Sequence, residues 1–385
     1  MNKLYNTQKD FTIGISDFLK NSVPNIRKTQ LNIIPYIMLG MITSKSCVAS
    51  DIALQLKDEF SLVNFESVVK RIKRFFSNKL FEPYEFYDAI IKHVINNYKI
   101  KHKEKKVHII FDHMFSHSNY TIFMISMRVG KQGIPLWFRC FRTRKGSGAY
   151  KEELINEGIR YVSSLFPSDY QLIFLADRWF NNVSTLKLID SLGHIYRIRL
   201  RHNHRVLVHD KKEGHKIWKW VNELQTYQCH STFYKDVIFT DERYVTNIVY
   251  AQTKNFDDPL IVITNGNYKN AIKDYNYRFG GIETIFKNQK SNGFDMEKVV
   301  NADIKYFTSM YSLVCLCTLF LNILGAEYSR NIKCYKNVHI PTHKNVKNHK
   351  IRVISLFKTG YFLFKIAYNS RTYVRIPYRF VLYDI

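Results

Sequence analysis

The spacing of apolar and polar residues divides the chain into a helical beginning, a middle of shorter period, and a helical, basic end. Over residues 1–95 apolar positions recur every three or four residues, as in Ser50–Leu56 and Phe65–Phe76, the pattern of helices with one buried face. Residues 97–106, NYKIKHKEKK, break that pattern with a polar, basic linker. At Val107–Phe111 the period changes. VHIIF is a short continuous apolar run, as in a buried strand, and it ends on Asp112. Tyr120–Arg128 and Ile134–Arg142 are two more strand-like runs, joined by Gly130-Lys131-Gln132-Gly133, a hairpin signal. A helix is predicted over 149–165, a second buried strand over Gln171–Ala176 ending on Asp177, a helix over 183–191 and a strand over 195–200. Strands and helices in this order predict an α/β fold, a mixed sheet with helices on its faces.

Residues 201–263 alternate differently. Segments 205–209, 231–240 and 244–251 predict a β-rich insertion, and 259–264 a last strand. Helical spacing resumes over 275–291, weakened at Gly280-Gly281, and Met296–Gly325 is a long apolar helical region. These boundaries predict a helical N-terminal domain (1–100) and a core in two parts (107–200 and 264–328). Between the parts lies the insertion (201–263), and a basic C-terminal region (329–385) follows. The longest apolar run, Met310–Ala326, is about a turn short of the ~20 residues a membrane span needs and is interrupted by Thr318 and Asn322. It predicts a buried helix. The first residues lack the apolar segment of a secretion signal, and the six cysteines include no CxxC pair. Free thiols in a reducing, cytoplasmic setting, with no membrane partner, are the expectation.

Charge narrows the class of partner. Lys plus Arg number 58 against 32 Asp plus Glu, a formal net charge of +26. Such an excess favours a polyanion, because each cation placed on a phosphate releases condensed counterions. On Phe65–Phe76 the cations Lys70, Arg71, Lys73 and Arg74 fall on the polar side, which suits either a DNA-docking helix or a solvated face. No GxxxxGKS or GxGxxG loop occurs, which argues against nucleotide-powered chemistry.

Asp112 and Asp177 each follow a buried-strand pattern. A carboxylate at the end of a central strand is costly unless a cation compensates it. Hard divalent ions such as Mg²⁺ or Mn²⁺ prefer carboxylate oxygens. Two such ions about 4 Å apart can assist both the attacking and the leaving oxygen of a phosphoryl displacement. That chemistry asks for a third acid, and Glu283 is the candidate, with Lys287 and Lys290 one and two helical turns further on. Trp179 and Phe180, after Asp177, suit either core packing or stacking on a base.

The segment from Tyr275 through Arg278 and Glu283 to Lys290 resembles the Tyr-Arg-Glu-Lys signature of bacterial insertion-sequence transposases, the insertion-sequence-four-like branch of the DDE enzymes. Tyr275 and Arg278 fit its first spacing, and Glu283 and Lys290 fit its last. The middle spacing is one residue longer, at Gly280-Gly281. LADRWF around Asp177 resembles the group's second-acid motif, and IIFDHMFSH around Asp112 is a weaker match. The resemblance covers about residues 107–325. It implies an RNase H-like catalytic core carrying a β-rich insertion between the second acid and the Glu, and cut-and-paste strand cleavage and transfer by two metal ions on Asp112, Asp177 and Glu283. It also implies DNA contacts from Tyr275, Arg178, Arg278, Lys287 and Lys290, double-stranded transposon ends and target DNA as partners, and a dimer assembled on DNA. A DNA-binding relic that no longer cuts, and a nuclease of related fold, remain alternatives.

Overall fold

A computed structural model of the chain describes residues 8–56, 64–98, 105–116, 119–143, 152–210, 213–224, 231–239, 243–252, 259–300, 302–335, 338–346, 349–352, 354–369 and 382. Most of the expected linker, the start of the expected helix at 149–151 and most of the chain beyond 369 lie outside the described residues.

Among the described residues six helices come first: α1 (Gln8–Ser22), α2 (Lys28–Leu31), α3 (Ile34–Ser44), α4 (Ala49–Gln55), α5 (Phe65–Phe76) and α6 (Pro83–Asn96). α5 shows how its sequence dictates its place. Val68, Ile72, Phe75 and Phe76 are buried on one side, while Lys70, Arg71, Lys73 and Arg74 are exposed on the other. Asn64 starts the helix by accepting a hydrogen bond from the Glu66 N–H at 2.9 Å.

The sheet begins with β1 (Lys106–Phe115), β2 (Tyr120–Val129) and β3 (Gln132–Arg142). It continues through α7 (Glu152–Ser164), β4 (Gln171–Ala176), α8 (Val183–Ser191) and β5 (Ile195–Arg199). Next come β6 (Arg205–His209), β7 (Lys216–Trp220), β8 (Ser231–Phe239), β9 (Tyr244–Ala251) and β10 (Leu260–Thr264). All ten strands join one sheet in the order β3-β2-β1-β4-β5-β10-β9-β8-β6-β7. β1, β2 and β3 form an antiparallel meander, β1, β4 and β5 run parallel, and β10 returns antiparallel beside β5. The strands within 201–263 therefore extend the core sheet. β7, at its edge, has no buried residue, and Trp218 and Trp220 are exposed. A strand without a buried face leaves no apolar alternation to read.

The third part holds α9 (Ala271–Gly280), α10 (Ile282–Lys287), a π-helical turn at Asn288–Asn292, and α11 (Ile304–Arg330). β11 (His343–Val346), β12 (His349–Arg352) and α12 (Leu356–Asn369) follow. The single helix expected over 275–291 is thus interrupted at Gly281 and loosened again at Asn288. The apolar region expected from 296 becomes helical at Ile304, where Asp303 accepts from the Tyr306 N–H at 2.7 Å and caps the helix. α11 is buried along almost its whole length, packed by α3, α5, α6, β3 and α12. It is long and apolar enough to cross a membrane, yet its apolar stretch is entirely enclosed by the protein. A helix that is hydrophobic all round is satisfied in this way by a core.

α11 and α12 cross at backbone contact. A Cβ on Gly325 would lie 2.0 Å from the Leu356 carbonyl oxygen, and one on Gly360 would lie 1.9 Å from that of Leu321. Neither obstacle is a movable side chain. Gly360→Ala is expected to force the helices apart and to destabilise the protein by roughly 1–3 kcal/mol, the usual range for overpacking. Chemical denaturation against the parent chain measures this, and an unchanged midpoint would refute the backbone crossing.

Candidate active site

The site starts from strand register. β1 and β4 pair in parallel from Lys106 opposite Gln171 to Phe111 opposite Ala176. One residue further in each chain stand Asp112 and Asp177. Adjacent strands lie about 4.8 Å apart, and residues in register share a face. The two acids therefore stand side by side where the parallel pairing stops: Asp177 follows the last residue of β4, while β1 runs on past Asp112 to Phe115, still paired with β2, so the strand is longer than its apolar run suggests. Asp177 also opens the short 3₁₀ turn Arg178–Phe180, accepting from the Arg178 N–H at 2.7 Å. Asp112 accepts from the His113 N–H at 2.9 Å.

The face of β1 that carries Asp112 also carries His108 and Ile110, and each of the three meets the α9–α10 segment. His108 Nε2 lies 3.2 Å from an Asp274 carboxylate oxygen. Ile110 packs so closely beneath Gly281 that a Cβ there would fall 2.2 Å from its Cδ1. Asp112 accepts from Arg278 Nη2 at 2.6 Å. The buried face of α9 consists of Ala271, Asp274, Tyr275 and Arg278, at helical spacing but half of it charged. Asp274 also faces a cation on a second strand, Arg197 of β5, with Nε at 3.6 Å. Arg197 in turn donates to the Thr264 hydroxyl and, at 2.7 Å, to the Asn267 carbonyl. Arg128 of β2 holds the other end of α9. It donates to the Tyr277 carbonyl at 2.7 Å, and its guanidinium lies 3.9 Å from the centre of the Tyr277 ring.

With the helix locked, Arg278 reaches all three candidate acids. Its Nη2 is 2.6 Å from Asp112 and 3.8 Å from Asp177, and its Nη1 is 3.2 Å from Glu283. The break at Gly281 makes this possible. It redirects the chain into α10, so that Glu283 in the first turn returns towards the acids. The residue by which the segment exceeds the transposase spacing falls at this break. Burial pushes the Asp112 and Glu283 carboxyls above the usual carboxylate range, against the pull of Arg278. Burial also disfavours the charged guanidinium, but Asp112, Tyr275, Asp177 and Glu283 more than offset it and hold Arg278 above its ordinary range.

The remaining expected residues separate. Tyr275 is fully buried beside the acids, and its hydroxyl is enclosed without a hydrogen-bond partner. Arg178 and Lys287 are exposed. The π-helical turn from Asn288 changes the helical period, and Lys290 pairs with Glu297 at 3.1 Å. Phe180 packs against Phe111 and Phe123, whereas Trp179 is 57% exposed beneath the Arg201 guanidinium, 4.2 Å from its ring centre. His113 lies on the opposite face of β1, against Phe115 and Phe180, where burial holds its imidazole below its usual range.

Among the described residues no three His, Cys, Asp or Glu side chains stand as a ready group for a metal ion. The donor chemistry nevertheless fits a hard divalent cation. The three acids offer only carboxylate oxygens, and they already converge on one shared cation, the guanidinium.

No protein-family pattern matches the chain, and no curated protein does. Solved structures similar to it include a piggyBac transposase in a synaptic complex with hairpin DNA. That chain is 13% identical, with a TM-score of 0.43, and the match covers 93% of this chain and 77% of that one. Another is Marinitoga piezophila Argonaute with guide RNA and target DNA, 18% identical with a TM-score of 0.20, covering 54% of this chain and 30% of that one.

Asp274 and its partners were not anticipated from sequence. Asp274→Ala would strand the almost fully buried Arg197 side chain without its carboxylate. Breaking a buried pair from one side costs about 3–5 kcal/mol. Urea titration should show a loss of that order, and a change below about 1 kcal/mol would mean that α9 is held by other contacts.

Proposed function

We propose that this chain is a DNA transposase of the DDE type, which cleaves and rejoins DNA strands at a site formed by Asp112, Asp177 and Glu283. The observation that carries this reading is the convergence of three acids, from β1, β4 and α10, within 4 Å of one guanidinium. Two further features support it. The strand order β3-β2-β1-β4-β5, with three antiparallel strands followed by two parallel ones, is the order of an RNase H-like core. The first two acids stand where the parallel pairing of its neighbouring central strands stops. The segment from Tyr275 to Lys290 also carries the insertion-sequence-four-like signature, with its extra residue at the Gly281 break.

Asp112, Asp177 and Glu283 are the residues to hold two divalent cations, Mg²⁺ or Mn²⁺. When bound, such ions supply Lewis-acid stabilisation of the attacking and leaving oxygens in phosphodiester exchange. The chain's own groups do the rest. Asp112 and Asp177 are held rigidly by register and by their neighbouring backbone N–H groups. Glu283, 48% exposed, faces the open side where a strand would lie. Arg178 and Lys287 stand exposed near the acids and suit phosphate contacts. The basic face of α5 suits the flanking duplex, the transposon's terminal repeats. Two copies bringing two DNA ends together would form the working assembly.

A second reading has a specific observation in its favour. Because a guanidinium lies among the acids, the chain could be a DNA-binding relative that no longer cuts. Plasmid excision with the element's own ends separates the two. The parent chain is expected to excise in Mg²⁺ or Mn²⁺. Asp112→Asn, Asp177→Asn and Glu283→Gln should each lower excision at least ~100-fold, beyond what the outer partners of a metal site contribute, while gel-shift binding persists. Binding by the parent chain without cleavage in either metal would establish the non-cutting reading. Cleavage without rejoining would indicate a nuclease.

A further inference from the structure

We infer that Arg278 is a displaceable internal cation. It holds the three acids together while no metal is bound, and it must leave them when divalent ions load. This rests on the function proposed above, and it assigns Arg278 a role beyond the phosphate contact that its place in the signature implies.

Three carboxylates brought together repel one another, and burial makes that repulsion stronger. In this structure one side chain relieves it. Arg278 spans the group with both terminal nitrogens, at 2.6 and 3.8 Å to the two Asp residues and 3.2 Å to Glu283. Its side chain is 8% exposed. The same guanidinium is an obstacle to metal, since a dication bound to these oxygens and a guanidinium bound to them would be like charges in contact. The backbone of α9 is not free to relieve the conflict, because Asp274 ties it to β1 and β5 and Arg128 ties it to β2. The side chain has to move instead. Arg278 carries signs of an incomplete resting place: its Nε is buried without a hydrogen-bond partner, and so is the Tyr275 hydroxyl on the same helix face. Glu283, the most exposed of the three acids, marks the open side of the site. A DNA phosphate arriving there offers the guanidinium a bidentate anion in exchange for the carboxylates.

Arg278 is a positioning residue in this account, and its test reads metal binding as well as turnover. The full-length protein, free of DNA, is titrated with Mn²⁺ by isothermal calorimetry, alongside Arg278→Gln, Arg278→Lys and Asp112→Asn. Removing one like charge from the site of a dication is expected to tighten Mn²⁺ binding at least ~10-fold in Arg278→Gln. Arg278→Lys keeps the charge but loses the fork, and it should fall between Arg278→Gln and the parent chain. If Arg278→Gln does not fold, the lysine variant decides alone. Tighter binding than in the parent supports displacement, and equal or weaker binding overturns it, showing Arg278 to be a fixed brace on which the site depends. A different result would overturn the function proposed above instead: Mn²⁺ binding that is undetectable both in the parent chain and in the Arg278 variants, or that is unaffected by Asp112→Asn.

Discussion

The buried face of α9 is the constraint on which the site depends. A helix face packed against a sheet normally carries apolar residues, and this one carries Asp274 and Arg278. Each charge is tolerable only with a partner. Asp274 finds His108 and Arg197, and Arg278 finds the three acids. The two solutions are coupled, because the residues lie one turn apart on a rigid element. The geometry of β1 makes them compatible. His108 meets Asp274 and Asp112 meets Arg278, so two residues on one face of the strand engage two residues one turn apart on the helix. A shift of α9 along β1 that exposed Asp274 would also withdraw Arg278, so the site is positioned by the same electrostatics that hold the helix down.

This division explains what was legible in the sequence. VHIIF and QLIFLA read as strands because both faces of a central parallel strand are buried, which leaves continuous apolar runs that stop at Asp112 and Asp177. Glu283 was legible through its spacing from Arg278 and Lys290, but the shape of its segment was not. A helical wheel assumes one period, and this segment has two interruptions, at Gly281 and at the π-helical turn. The wheel puts Lys290 two turns on from Glu283, and in the structure Lys290 pairs with Glu297. Asp274 escaped notice for another reason. Reading a buried face from apolar periodicity discards polar residues, although Asp274 and Arg278 stand at the i, i+4 spacing that would have paired them on one face. Trp179 and Phe180, adjacent in sequence, took opposite fates because the 3₁₀ turn points one inward and the other outward.

The charge of the whole chain and the charge of the site have opposite signs. The net charge of +26 favours a polyanionic partner. Where the pairing of β1 and β4 stops, the polyanion would meet three carboxylates. A phosphate cannot be held there on attraction to the surrounding surface alone, because the nearest charges repel it. Cations have to stand between the acids and the phosphate, and the structure shows one cation that the chain itself provides.

That cation is an arginine for geometric reasons. A lysine ammonium is a compact point charge and would sit close to one or two carboxylates. The guanidinium divides its contacts, one terminal nitrogen on the pair of acids fixed by strand register and the other on the acid brought in by α10. Its two arms thereby span two kinds of precision. Asp112 and Asp177 are placed by backbone pairing between strands far apart in sequence, while Glu283 is placed by a local break five residues after Arg278. At Gly281 the chain turns from α9 into α10, and a Cβ there would lie 2.2 Å from Ile110 Cδ1, so a larger residue would have to displace that side chain. The glycine that lengthens the spacing of the sequence motif thus stands at the break between Arg278 and Glu283.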